Sequence, residues 1–265
     1  MLKFYLFSFI LSTFLFSQCN RSNWETFYNS KNKDMRDCNF KGFKLRSINL
    51  EDANLSGANL MNADFKWGNF NGVNFNGANL LEVDLRETNL INVNMTNVNL
   101  ESADLDGANL TGAMLIDSNL YFIFLTNSIL NGSNLKNSDL RGADLTGGSL
   151  ISSILDSIDL SGANLHKANL NNASLYNSNL KDSDLSNSSL EGANLKGADL
   201  NGSNLMNSNL RGADLGGAKF SHTWITNSEF DGANLDGVIS NGLIGDPKSL
   251  PDGWTIEHGI FIRLP

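Results

Sequence analysis

The sequence predicts a repeat protein whose chain turns every five residues, and three observations carry that prediction. From Phe40 to Leu235 every position divisible by five is apolar: forty positions, of which thirty-two are Leu, six Phe, one Met (Met95) and one Ile (Ile225). Two residues before each centre the side chain is usually small, as at Ala53, Ala58, Ala103, Ser133 and Ala198. Two residues after it stands Gly or Asn in twenty-seven of the forty repeats. Gly and Asn tolerate positive φ, and Asn also bonds its own backbone, so they mark turns. A period of five fits neither the 3.6 of a helix nor the alternation of a strand. The centres and the small residues before them are read as inward, and the remaining positions as outward.

The pattern appears as Ala-Asn-Leu-Ser-Gly at Ala53–Gly57 and as Ala-Asp-Leu at Ala198–Leu200 and Ala213–Leu215. It resembles the pentapeptide-repeat family, over about three quarters of the chain. The resemblance implies an all-β fold: a right-handed quadrilateral β-helix with four repeats per coil and the centres stacked inside. Forty repeats over residues 36–240 make ten coils, and at a spacing of about 4.8 Å the rod is about 48 Å long. Each coil buries its apolar face only against its neighbours, so both ends need caps.

Residues 1–18 carry one charge, Lys3, ahead of an apolar run from Phe4 to Phe16. That is the layout of a secretory signal, and the run is too short to span a bilayer. Leu15-Phe16-Ser17-Gln18-Cys19 is similar to a bacterial lipoprotein signal, which implies a lipid on Cys19. Phe16 and Gln18 depart from the usual pattern, and ordinary cleavage after Ser17 competes with it. Two cysteines in an exported chain can also pair; a lipid on Cys19 would leave Cys38, at an inward small-residue position, without a partner.

Residues 19–35 read as a tether or as a cap. Ser22-Asn23-Trp24-Glu25 fits a capping box, and Trp24, Phe27 and Tyr28 form the apolar side of a short helix over the first coil. Phe43, large for its position, suggests that this coil meets such a cap. After Leu235 the apolar register fails at Ser240 and Gly245. Residues 241–265 then read as a hairpin cap, with two short strands around His258-Gly259.

No motif for a catalytic site, metal or cofactor accompanies the repeats, and the three histidines are far apart. An enzyme is the weakest reading. The formal charge is −9, and residues 36–240 hold 23 acidic against 13 basic residues, which excludes a basic nucleic-acid surface. Cytoplasmic members of the family imitate DNA to bind gyrase, so a DNA-mimicking topoisomerase inhibitor is the alternative function. A duplex of about 48 Å carries roughly 28 charges, far more than this rod.

Two outward features invite a functional reading. Asp64, Asp84, Asp104, Asp144 and Asp184 fall in one column, either bonding turn amides or forming an acidic stripe for a cationic partner. Lys66 and Arg86 should neutralise the first two members and leave Asp104 and Asp144, with neighbouring Asp106, uncompensated. Near mid-rod, Met114, Phe124 and Ile129 replace the usual Asn or Asp, while Ile116, Tyr121, Phe122, Ile151 and Ile154 take other outward slots. These eight are expected to form an apolar band for a protein partner or a second copy, anchored by Tyr121, Phe122 and Phe124. The expected function is a non-enzymatic interaction module of the bacterial envelope.

Overall fold

A computed structural model describes residues 19–265. The signal segment assigned to residues 1–18 lies outside them. From Asp34 onward each outward Asn or Asp slot forms a parallel bridge with the slot twenty residues later, beginning at Asp34↔Asn54 and ending at Glu229↔Ser249. Twenty residues are four repeats, so the chain is the right-handed quadrilateral β-helix that the five-residue period implied.

Two sets of hydrogen bonds explain why this sequence coils. Within a repeat, the amide of the small residue closes the turn on the preceding centre, as Ala58 N does on Leu55 O at 3.1 Å. Between coils, the centre's amide bonds the carbonyl nineteen residues on, as Leu60 N does to Asn79 O at 2.7 Å. The backbone's polar groups are thereby paired along the rod, as burial requires. The turn depends on a left-handed residue two after each centre: Gly57 has φ 69° and Asn62 φ 56°.

The forty centres point inward as expected, with Leu45 only half-buried at the first coil. Leu100, Leu120 and Leu140 share one column, since Asn99, Asn119 and Asp139 bridge in succession. Most buried Ser residues bond turn carbonyls, as Ser133 Oγ does to Leu130 O at 2.6 Å, whereas the buried Ser178 Oγ has no partner. On the outside, Asn74 donates to Asn54 and Asn94 to Asn74 at 3.4 and 3.2 Å, an amide ladder along the stack.

The N-terminal segment is a cap. A short helix, α1 (Trp24–Tyr28), places Trp24 6.3 Å from Phe40 and 6.4 Å from Phe43, ring centre to ring centre. The capping box is not made: Asn23 is the N-cap and makes no side-chain capping bond. Instead Asn20 Oδ1 accepts from the Ser22 amide and hydroxyl at 2.9 and 2.7 Å, which spends Ser22 on the turn before the helix.

Cys19 corrects a second expectation. Its sulfur is bonded to Cys38, with the Cα atoms 4.5 Å apart. A sulfur held in a disulfide cannot carry a thioether lipid, so the anchor on Cys19 is set aside. The Cys19 carbonyl also accepts from Asn39 N at 3.0 Å, which extends the ladder one strand beyond the first coil. The bridge closes a loop with a sequence separation of 19, a size at which a disulfide contributes about 3 kcal/mol. Cys38→Ser should lose about that much in denaturant unfolding, with hydrogen-exchange protection falling over residues 19–45 and holding at mid-rod.

At the other end the apolar register fails at Ser240 as read, but the backbone ladder runs on to Ser249, so the solenoid outlasts its assigned boundary at 240. The hairpin follows as two antiparallel strands, β1 (Trp254–Glu257) and β2 (Ile260–Arg263). His258 at φ 50° and Gly259 at φ 72° form its two-residue turn, the twist that tight hairpins favour. Phe261 is buried, 5.6 Å from both Phe220 and Phe230, and its amide bonds Ser240 Oγ at 2.9 Å. Ser240, out of apolar register, thus anchors the cap.

Candidate interaction surface

The solenoid has four walls, each a column of bridged Asn or Asp slots, separated by corners made of the two residues after each centre. Tyr121 and Phe122 form the corner between the Asn119 wall and the Phe124 wall. Phe122 and Phe124 are 49% and 50% exposed, whereas Tyr121 is half-buried. The Tyr121 and Phe122 rings lie 4.2 Å apart, centre to centre. One coil on, the Arg141 guanidinium sits 5.2 Å over the Tyr121 ring and bonds Asp139 through Nε and Nη2 at 2.8 and 2.6 Å. Those bonds hold the Asp139 carboxyl below its ordinary range, so the ion pair persists at neutral pH.

Phe122 occupies a position that holds Gly or Asn in twenty-seven of the forty repeats. Its φ is 53°, and the left-handed region costs a side chain of this kind about 1–2 kcal/mol. Its ring covers the space a side chain at residue 142 would need, since a Cβ added to Gly142 would lie 2.5 Å from it. A bulky aromatic kept at a strained corner motivates a functional reading.

The other apolar residues do not join this corner. Met114 and Ile154 belong to one column, Met114↔Asn134↔Ile154, so they lie two coils apart as expected. That column is two repeats, half a coil, from the Phe124 column, which in a four-walled section is the opposite wall. Ile129 stands on the wall between them, bridged to Asn109 and Ser149. Ile151 stacks above Asn131, its amide bonding Asn131 Oδ1 at 2.9 Å, at the corner after the Ile129 wall rather than on it. Ile116 and Ile151 are both half-buried. The eight residues thus lie on consecutive faces around the rod, as expected, except that Ile151 leaves the Ile129 face for the corner beside it; Tyr121, Phe122 and Phe124 make the one compact patch.

The acidic column exists but is occupied. Asp64, Asp84, Asp104, Asp144 and Asp184 each accept the amide two residues on, at 3.4, 3.3, 3.2, 3.0 and 2.9 Å. Arg46, not Lys66, pairs with Asp64 at 2.7 Å. Arg86 bridges Asp84 at 2.6 Å and Asp104 at 3.1 Å, so Asp104 is compensated after all. Burial pushes the Asp84 carboxyl up, but the bonds and charge of Arg86 bring it below the ordinary range. Thr126 donates to Asp106 and Thr146 Oγ1 to Asp144, the latter at 2.6 Å. The column serves turns and stacking, and the free stripe for a cationic partner is withdrawn.

Two exposed tryptophans escaped the sequence reading. Trp67, 49% exposed, takes a corner at φ 60° with the cations of Arg46 and Lys66 at 5.8 and 5.6 Å from its ring. Trp224, 46% exposed, stands in the column of Phe124. Each could have been found as an aromatic in a slot that mostly holds Gly, Asn or Asp.

The fold agrees with known proteins. The family described as pentapeptide repeats matches in eight copies within residues 34–72 and 125–239, and the pentapeptide repeat region matches residues 63–140. HetL, a pentapeptide repeat protein involved in heterocyst differentiation regulation from the cyanobacterium Nostoc sp. strain PCC 7120, is a similar solved structure. It is 28% identical, with a TM-score of 0.56 over 85% of this chain and 94% of HetL. QnrB1, a plasmid-mediated fluoroquinolone resistance protein, is 17% identical with a TM-score of 0.51, covering 77% of this chain and 92% of its own. At that identity the likeness is one of fold. No curated protein matches the chain. The repeats, the coil and these matches make the chain a member of the pentapeptide-repeat family.

Proposed function

We propose that this protein is an exported, non-enzymatic interaction module of the bacterial envelope, and that it binds a protein partner at the Tyr121–Phe122–Phe124 corner. The observation that carries the binding reading is Phe122, a half-exposed aromatic held at φ 53° at a corner that Gly or Asn takes in twenty-seven of the forty repeats, its ring 4.2 Å from that of Tyr121. Phe124 on the adjoining wall and Arg141 over Tyr121 supply the aromatic and cationic chemistry that dominates interface hot spots. Polar walls around the corner make a rim.

Export is supported by the signal-like segment and by the Cys19–Cys38 bridge, since disulfides persist in oxidising compartments. The DNA-mimic alternative draws no support from the acidic column, whose carboxylates are engaged by amides, hydroxyls and Arg86.

Tyr121→Ser, Phe122→Ser and Phe124→Ser together should leave the β-type circular dichroism unchanged. Pull-down from envelope extract, or self-association in the ultracentrifuge, should fall at least tenfold, the effect of removing aromatic anchors worth about 1.4 kcal/mol or more. Undiminished association would retire the corner as a binding site.

A further inference from the structure

The rod is electrically polarised. Residues 19–47 hold seven Lys and Arg against three Asp and Glu (net +4), whereas residues 48–265 hold eleven against twenty-five (net −14). The excess positive charge sits at the N-terminal pole, where the chain enters the first coil through the Cys19 carbonyl and the Asn39 amide. The apolar run of residues 4–16 immediately precedes this point in the chain.

The pole also has a shaped recess. Arg21 and Lys41 border a hollow of about 710 Å³, with Phe43 and Asn39 in its lining. The Arg21 guanidinium is held 5.0 Å over the Phe43 ring, which fixes its position at the rim. Among the described residues neither Arg21 nor Lys41 has a carboxylate partner, nor does Lys44 on the adjacent wall. Arg46, at the edge of the pole, is held by Asp64 at 2.7 Å, and further along the rod Arg86 is held by Asp84 at 2.6 Å and Arg141 by Asp139 at 2.6 Å, while Lys136, Lys167 and Lys196 stand apart from one another.

We propose that the N-terminal pole docks on an anionic phospholipid surface, with a lipid phosphate between Arg21 and Lys41 and the rod projecting end-on. Charge complementarity gives the occupant: clustered Lys and Arg are drawn to anionic headgroups, and the attraction fades within a Debye length. That length is about 10 Å at 0.1 M salt, roughly two coils, so the acidic remainder of the rod lies outside the field and is repelled only weakly. The same asymmetry sets the orientation, because lying flat would bring the negative walls against the negative surface. No lipid on Cys19 is required. The idea rests on the export reading, which alone would bring this pole to an envelope membrane.

The test is co-sedimentation of the protein, as isolated from cells, with vesicles of phosphatidylcholine alone and with vesicles containing phosphatidylglycerol. Binding is expected only to the second, and it should weaken steeply with added salt. Arg21→Gln, Lys41→Gln and Lys44→Gln together should weaken it by about a hundredfold, on the order of fivefold for each charge removed near the surface. The variant's thermal melt and its disulfide, checked by thiol labelling, should match the parent, so that loss of binding is not loss of the cap. Equal binding to both vesicle types, or unchanged binding by the variant, overturns the proposal. So does saturable binding of free glycerol phosphate without vesicle binding, which would mark a soluble-anion site. Cell fractionation separates this outcome from the reading beneath it: a cytoplasmic protein that still binds phosphatidylglycerol refutes export, and an exported one that does not refutes the docking.

Discussion

Leu120→Asp should unfold the middle of the rod. Leu120 is fully buried at a centre of the fifth coil, stacked between Leu100 and Leu140, and its amide bonds Asp139 O at 2.8 Å. Deleting its apolar volume, as in Leu120→Ala, costs about 2–5 kcal/mol. The carboxylate adds several kcal/mol for an unpaired charge taken from water, because the column around it offers apolar side chains and backbone groups already bonded. Neighbouring coils are each other's only support, so the damage should spread to both sides of residue 120. Thermal unfolding followed by circular dichroism should show either a folded state lost at ambient temperature or two separate transitions for the two halves. By contrast, Asn119→Ala on the outward slot should lose only part-exposed bonds, those to Asn99 at 3.0 Å and Glu101 at 3.2 Å and the one its Oδ1 accepts from the Tyr121 amide at 3.2 Å, about 1 kcal/mol each. A mid-rod Asp tolerated as well as that outward Ala would mean that the centre column is not what holds the coils.

The walls and core of this protein were legible in the sequence because one number, five, fixes both. Once four repeats make a coil, every bridge from Asp34 to Ser249 follows by adding twenty. The hairpin was legible for a similar reason: its two-residue turn, His258-Gly259, has its own local signature. The apolar band followed from the same arithmetic, except at Ile151, which belongs to a corner and not to the Ile129 face. Met114 and Phe124 are ten residues apart, half a coil, and so had to lie on opposite walls. What the period could not supply was the reach of long side chains along a corner. Arg86 spans Asp84 and Asp104, and Arg46 reaches Asp64 eighteen residues on, because corner side chains lean along the stack. Cys19 was harder still. Its pairing with Cys38 requires the segment before the repeats to fold back as an extra strand, and nothing periodic in residues 19–35 announces that. The short aromatic helix did announce itself, through Trp24, Phe27 and Tyr28, but its N-cap bonding did not.

Removing the hairpin should let the rod join end to end. A protein ending at Ser249 keeps the last bridge, Glu229↔Ser249, and loses Phe261 from its place against Phe220 and Phe230. Those rings are fully buried in the whole chain and would face solvent on the final coil, where each exposed large side chain forfeits about 1.5–3 kcal/mol of burial. The same cut frees the edge that the hairpin covers through Leu243 N to Gly259 O and Phe261 N to Ser240 Oγ. An apolar rim around unpaired backbone groups is a template for another chain. The opposite pole cannot receive it while α1 lies over Phe40 and Phe43 under the Cys19–Cys38 bridge, so the first species should be a dimer joined through two uncapped C-terminal ends. Light scattering behind size-exclusion chromatography should give, for the shortened protein, a concentration-dependent species of twice the mass that the whole chain shows at the same concentration. Reduction of the disulfide should then allow longer assemblies, because the second pole opens. Phe261→Asp in the full chain provides the gentler version: the hairpin remains, but its ring no longer fills the end of the core, and a fall in stability of about 3 kcal/mol or more is expected. If the shortened chain associated no further than the whole chain and melted with it, the hairpin would be an ornament on a rod whose last coil needs no cover.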